Sequence, residues 1–230
     1  MSEATTRLPA TAASRSTSPK ASLADRLSVD VAVRCQRRSS PSLTGPLKET
    51  LAAEPFKTDR PIVLIAGRLE GYKRVDTAIR AFASMRKDAH LVVCGAGSHR
   101  PALERLAWEL GIAARVSFRG YVSDGELRRW QRTATSTLSL STREAFGLVL
   151  LEAAVAGSRV VASDIPAHAE LAHRLGPVGA RMAVVTPDVA AVAAVLDSQV
   201  EMGRPATLPD QSLGWSTMAR QYEAIYRSVS

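Results

Sequence analysis

With 230 residues, of which 46% are hydrophobic but only 5% aromatic, the chain has room for one sizeable domain with extensions, and an apolar set drawn largely from Ala and Val suits an α/β protein. The formal net charge of +8 is spread out, the first 60 residues carrying ten Lys/Arg against six Asp/Glu. Nucleic-acid binding calls for clustered cations with aromatic platforms, and neither stands out, so only a diffuse attraction to acidic substrates or an anionic membrane surface is left open.

Residues 1–58 are rich in Ser, Thr, Ala, Pro and Arg and carry no sustained period. They read as largely disordered, with a short helix around 47–53. The start lacks the apolar stretch of a signal peptide, and no run approaches the ~18 apolar residues of a membrane span, so the expected location is cytoplasmic. From Pro61 the texture changes to short apolar runs alternating with helical periods, the pattern of βαβ units and a parallel sheet. Strands are expected at 62–66, 91–94, 115–118, 137–140, 159–162 and 182–185, in a doubly wound, six-stranded Rossmann-like domain running from 59 to 230.

Val75, Ala78, Ile79, Phe82 and Met85 form one helical stripe; Leu103, Leu106, Ala107 and Leu110 form the next. Ser123 followed by Glu126 has the spacing of a capping box, which starts a third helix near Asp124. Later helices are expected at 189–200 and 216–229, the last with a packing stripe of Met218, Tyr222, Ile225 and Tyr226.

Two cysteines far apart, Cys35 and Cys94, make neither a metal site nor a disulfide framework; Cys94 ends the apolar run Leu91-Val92-Val93 and reads as a buried thiol. His90, His99, His168 and His173 lack metal-ligand spacing, so no metal is expected and each reads as an ordinary histidine. No G-x-S-x-G occurs.

In an open parallel sheet, ligands bind beyond the carboxyl ends of the strands. The loops predicted there are Gly67-Arg68-Leu69-Glu70-Gly71-Tyr72-Lys73-Arg74, Gly95-Ala96-Gly97-Ser98, Gly120-Tyr121-Val122 and Ser141-Thr142-Arg143-Glu144-Ala145-Phe146-Gly147. Glycine allows close backbone approach, helix starts offer N–H groups to anions, and Arg68 and Lys73 add two cations, so the edge suits phosphate. Read alone, the two cations are equally solvated surface charges. Gly95-Ala96-Gly97-Ser98-His99-Arg100 lacks the third glycine of a dinucleotide fingerprint and follows the second strand, so NAD is poorly supported. Glu144 and Glu152, with seven residues between them, are too far separated to share one bond as acid and base, but suit two ends of an extended ligand, since carboxylates take hydroxyls well; read alone, both are surface glutamates.

Together these residues resemble the C-terminal, donor-binding domain of glycosyltransferase family 4, the retaining nucleotide-sugar-dependent group with the GT-B fold. The resemblance runs from Pro61 to Ser230. Its most specific parts are Gly67-Arg68-Leu69 with Lys73-Arg74, the Phe118-Arg119-Gly120-Tyr121-Val122 turn, and the E-x7-E stretch from Glu144 through Phe146-Gly147-Leu148 to Glu152. The resemblance implies that Arg68 and Lys73, beside Gly67, hold the donor diphosphate and stabilise the charge of the departing group. It implies that Glu144 and the backbone at Phe146, Gly147 and Leu148 hold the sugar and distal phosphate. Glu152 would take the ribose hydroxyls, and backbone near Tyr121 and Val122 the base. No cofactor beyond the UDP- or GDP-sugar substrate is implied.

Family members usually have two such domains. The 58 residues before the first strand are too few for a second, which needs on the order of 100, so acceptor contacts are expected from a separately encoded N-terminal domain, a partner or a homo-oligomer. A non-catalytic nucleotide-sugar-binding module and an inactive truncated transferase are the competing readings.

Overall fold

The computed structural model describes residues 50, 52–145, 147–175 and 181–205. Cys35, residues 1–49 of the expected disordered segment and the helix expected at 216–229 lie outside them. Six strands, β1 (Ile62–Ala66), β2 (His90–Cys94), β3 (Val116–Gly120), β4 (Ser136–Ser139), β5 (Arg159–Ser163) and β6 (Met182–Val185), form one sheet in the order β3-β2-β1-β4-β5-β6. All pairs are parallel, and each expected strand is present to within two residues at either end.

Alternation along the strands sorts side chains between two faces. Val63, Ile65, Leu91 and Val93 pack against α1 (Val75–Ala83), α2 (Arg100–Glu109) and α6 (Val189–Met202), with Phe82, Ile79 and Leu196 fully buried. On the opposite face Ile62, Leu64, Val92 and Cys94 lie under α3 (Asp124–Thr133). Val160 and Ala162 lie on that side under α4 (Leu148–Val155) and α5 (Pro166–Arg174). The Val75 stripe is buried throughout; in the next stripe Leu103, Leu106 and Ala107 are buried and Leu110 is half-buried at the helix end.

Ser123 caps α3 by accepting the Glu126 N–H at 3.2 Å. The reciprocal half of the box is replaced, because the Glu126 carboxylate turns along the helix to Trp130 Nε1 and across to Arg119. Residues 52–58 are laid against α3 rather than set apart: Phe56 N–H donates to Thr133 Oγ1 at 2.8 Å, and its ring sits 4.3 Å from that of Trp130. One aromatic pair and a backbone bond anchor this segment, which carries no periodic pattern, on α3.

Polar bonds seat α6. Gln199, 4% exposed, accepts from Ser136 Oγ and donates to Val160 O. Just beyond α6, Arg204 donates to the carbonyls of Gln131, Ala134 and Ala156, joining the ends of α3 and α4. Asp197, 7% exposed, accepts the Arg86 N–H with both oxygens and the Lys87 N–H at 2.8 Å, fixing the turn between α1 and β2. Asp197→Ala strands two backbone donors at that turn and is expected to lower stability by about 3 kcal/mol, a large share of a domain's usual margin. Asp197→Asn, keeping one acceptor oxygen, is expected to lose about half as much; urea denaturation of both variants checks the ordering.

Candidate functional site

The strand order reverses direction between β1 and β4, and there the sheet opens. β1 pairs with β2 along its whole length, from Ile62↔His90 to Ala66↔Cys94. With β4 it pairs only at Val63↔Ser136 and Leu64↔Thr137, so the carboxyl ends part. Such a switch point is where open α/β sheets hold ligands. A small cleft lies between the strands, lined among others by Gly67, Arg68, Lys73, Ser139 and Leu140. The larger concavity of about 360 Å³ sits instead over the amino ends of β1 and β2, beside Ile62 and His90. Of the turn Phe118-Arg119-Gly120-Tyr121-Val122 only Arg119 lines it, and Arg68, Lys73, Glu144 and Glu152 do not.

Two loops meet across the opening. Lys73, in the 3-10 turn Gly71–Lys73, donates to Glu144 Oε2 at 2.5 Å. Both side chains are mostly enclosed, at 20% and 24% exposure. Thr142 N–H donates to Tyr72 O at 2.9 Å, so backbone as well as side chain joins the loops. The Tyr72 ring draws in cations: Arg68 bonds its hydroxyl at 2.7 Å, and Lys73 Nζ and Arg143 Cζ lie 5.3 and 5.1 Å from the ring centre. Tyr72 and Arg143 were not among the sequence candidates; their only signal was a place inside candidate loops. Arg74 completes the turn at φ 50°, a left-handed conformation for a residue with a Cβ, with Nη2 bonded to Thr77 Oγ1.

The glycines of the strand-end loops let the loops approach one another closely. Gly67 N–H is spent on Cys94 O, Leu69 N–H on Ala96 O and Gly95 N–H on Gly120 O, so the loops after β1, β2 and β3 are zipped to one another. A Cβ on Gly95 would stand 1.8 Å from Gly67 O, and one on Gly97 2.4 Å from Leu69 O. Gly67 thus gives its N–H to Cys94, and the close approach is made by Gly95 and Gly97, while a Cβ on Gly67 itself would stand in open space at a φ of 143°. Gly147 sits at the start of α4 with φ 78°, and a Cβ there would press on Leu171 at 3.3 Å and His168 at 3.5 Å. It starts α4 close after the loop that carries Glu144, and no side chain caps the helix there. Leu148 is the first residue of that helix; Phe146 lies outside the described residues.

His168, read from sequence as ordinary, is fully buried beneath this turn. Its Nδ1 donates to Ser163 O at 3.0 Å, while Nε2 has no partner among the described residues. Burial holds its pKa below the usual histidine value, so the ring is neutral at pH 7. Cys94 is buried as expected, and burial pushes its thiol up to about 12, far from a reactive thiolate.

Two further candidates lie along the edge. Tyr121, 86% exposed, follows β3, two strands from β1 and thus on the order of 10 Å away at ordinary strand spacing. Val122 packs its side chain into the cluster with Ile62 and Leu64, leaving its backbone for contacts. Glu152 lies in the second turn of α4, half-buried, with Oε2 accepting from Gln131 Nε2 at 3.0 Å. Burial raises its pKa above the usual carboxylate value, and the Gln131 bond and the Arg128 charge oppose that rise. Gln131 was not a sequence candidate. Among the described residues no group of three or more His, Cys, Asp or Glu could hold a metal ion, and no helix is long and apolar enough to cross a membrane.

The sequence matches the family described as "Glycosyl transferases group 1" over residues 48–207. A D-inositol 3-phosphate glycosyltransferase of Streptomyces scabiei is 34% identical over 190 residues, covering 74% of this chain and 42% of the relative. An uncharacterized glycosyltransferase of Methanocaldococcus jannaschii is 37% identical over 109 residues, covering 46% and 28%. The chain thus spans less than half the length of these curated relatives. Among solved structures, Anabaena HepE in complex with UDP and glucose superposes with a TM-score of 0.58 at 21% identity, over 83% of this chain and 52% of that one. The catalytic domain of a Helicobacter pylori cholesterol-α-glucosyltransferase gives 0.53 at 20% identity, over 74% and 99%. These likenesses establish the GT-B half-fold.

Gly95→Ala places a methyl group against Gly67 O at a φ of 142°, and is expected to cost roughly 3 kcal/mol or more through overpacking and backbone strain together. Gly111→Ala, at a φ of 70° with open space around it, carries strain alone and is expected to cost about 1 kcal/mol. Thermal denaturation of the two variants side by side separates the contributions.

Proposed function

The chain belongs to the glycosyl transferases group 1 family, and from that premise we propose that it binds a nucleotide-diphosphate sugar and takes part in transferring the sugar, a hexose, to an acceptor with retention of anomeric configuration. The observation that carries this reading is the Lys73–Glu144 pair spanning the opening between β1 and β4, with Arg68 alongside.

In this reading the diphosphate lies over the 67–74 loop. Lys73 is a point charge and Arg68 a planar fork, and both oppose the negative charge that grows on the diphosphate as the sugar–phosphate bond lengthens. Glu144 holds Lys73 in place and offers its remaining acceptor capacity to a sugar hydroxyl. The N–H groups at the start of α4, near Gly147 and Leu148, favour the distal phosphate. Glu152 takes ribose hydroxyls, and the base rests near the backbone of Tyr121 and Val122. Leaving-group stabilisation of this kind uses no resident cofactor. The acceptor face is supplied by a further domain, a partner or a second copy.

Calorimetric titration with UDP, GDP, UDP-glucose, GDP-mannose and NAD tests the proposal. One nucleoside diphosphate is expected to bind saturably, and Arg68→Ala to weaken it on the order of tenfold or more while leaving the free nucleoside unaffected, as for loss of a charge-assisted bond. Glu152→Gln is expected to weaken nucleoside and nucleotide alike. Binding of NAD alone would overturn the reading, and nucleoside affinity unchanged in Glu152→Gln would remove the ribose assignment.

A further inference from the structure

Gln131 is an expensive residue where it stands. It is fully buried in α3, its Nε2 donates to Glu152, and its Oε1 has no donor among the described residues. A buried, unsatisfied amide oxygen costs on the order of 1–3 kcal/mol, and an apolar side chain of similar shape would remove that cost. The cost of Oε1 therefore has to be set against what Nε2 does. Its one side-chain bond goes to the carboxylate assigned above to the ribose.

That bond does two things for Glu152. It fixes one carboxylate oxygen against α3, so the carboxylate cannot swing about its last torsion. The other oxygen, Oε1, has no bond among the described residues. It is left free for a ligand. The N–H also favours the ionised carboxylate, because a donor stabilises the charged form. Arg128 on the same helix acts in that direction, whereas Asp124 and burial act against it. Reversal of the amide would set its oxygen against a carboxylate oxygen, so the donor orientation is the one that an ionised Glu152 requires.

We infer that Gln131 is a positioning residue for nucleotide recognition, presenting Glu152 as an oriented, charged acceptor for the vicinal hydroxyls of a ribose. The inference rests on the donor-site reading given above. It makes α3, an element carrying no nucleotide contact of its own in that reading, responsible for discrimination between ribo- and 2′-deoxyribonucleotides.

The test uses the full chain as wild type, Gln131→Leu and Glu152→Gln, titrated with UDP and GDP and with their 2′-deoxy forms between about pH 5 and 8. Wild type is expected to prefer the ribonucleotide, with affinity falling toward acid as Glu152 takes a proton. In Gln131→Leu the preference is expected to shrink roughly five- to tenfold, the equivalent of one lost polar orientation. Its acid fall-off moves to higher pH, because the bond that favoured the charged carboxylate is gone. The melting temperature is expected to change by only a few degrees, because relief of the unbonded Gln131 Oε1 offsets the lost bond to Glu152, and this separates positioning from a fold defect. Wild-type preference and pH profile in Gln131→Leu, with Glu152→Gln impaired, would overturn this inference alone. Indifference of Glu152→Gln, or no nucleotide binding by wild type, would overturn the ribose or donor reading and the inference with it.

Discussion

A lysine from the loop after β1 meets a glutamate from the loop after β4 across the only point where the six strands reverse their order. Lys73 and Glu144 are each about four-fifths enclosed, so neither charge is well solvated alone, and each requires the other. Their contact holds together two loops that the sheet itself lets part, since the β1–β4 register ends at Leu64↔Thr137. Parting creates the cleft, and the ion pair sets its mouth. Everything proposed about donor binding depends on this combination of an opened sheet and a bridged rim.

The remaining rim is rigid for a different reason. Three successive strand-end loops are joined by backbone bonds at Gly67, Leu69 and Gly95, and the glycines permit the approach because no Cβ fits between them. The same logic recurs at Gly147, where a left-handed turn lays the start of α4 over His168 and Leu171. A ligand along this edge meets a preorganised surface, which limits the ordering cost of binding. Buried polar groups concentrate nearby: His168 Nε2 and Gln131 Oε1 both lack partners among the described residues. Polar atoms left unsatisfied beside a candidate site, in a fold whose other buried polar groups such as Asp197 and Gln199 are well bonded, mark places where stability has yielded to something else.

Family membership is the premise of the proposed chemistry, and the charge placement along the sheet edge is what the proposal draws on. Cations gather around Tyr72, an acceptor carboxylate stands on α4, and an exposed aromatic residue, Tyr121, stands at the far strand. The distance from β1 to β3 suits an extended ligand laid across the strand ends. The chain's own residues thus form the wall to which the proposed donor site is assigned.

How much of this was legible beforehand follows from the range of the interactions involved. Strand positions, the buried stripe of α1 and the start of α3 at Ser123 are local or periodic features, and the sequence alone determined them: a period of two or 3.6 and a capping hydroxyl carry their signal within a few residues. The order of the loops also identified Arg68, Lys73, Glu144 and Glu152 as candidates, because a parallel sheet delivers all of them to one edge. Tertiary structure alone decided which of them touch. Nothing local pairs Lys73 with Glu144, 71 positions away, or Gln131 with Glu152, 21 positions away. Nor does spacing say that Gly67 gives its N–H to Cys94, that Phe56 stacks on Trp130, or that His168 lies buried under Gly147. Those facts depend on strand order, on where β1 and β4 separate, and on which side chains packing leaves without solvent, and each of these is a property of the whole sheet rather than of any segment in it.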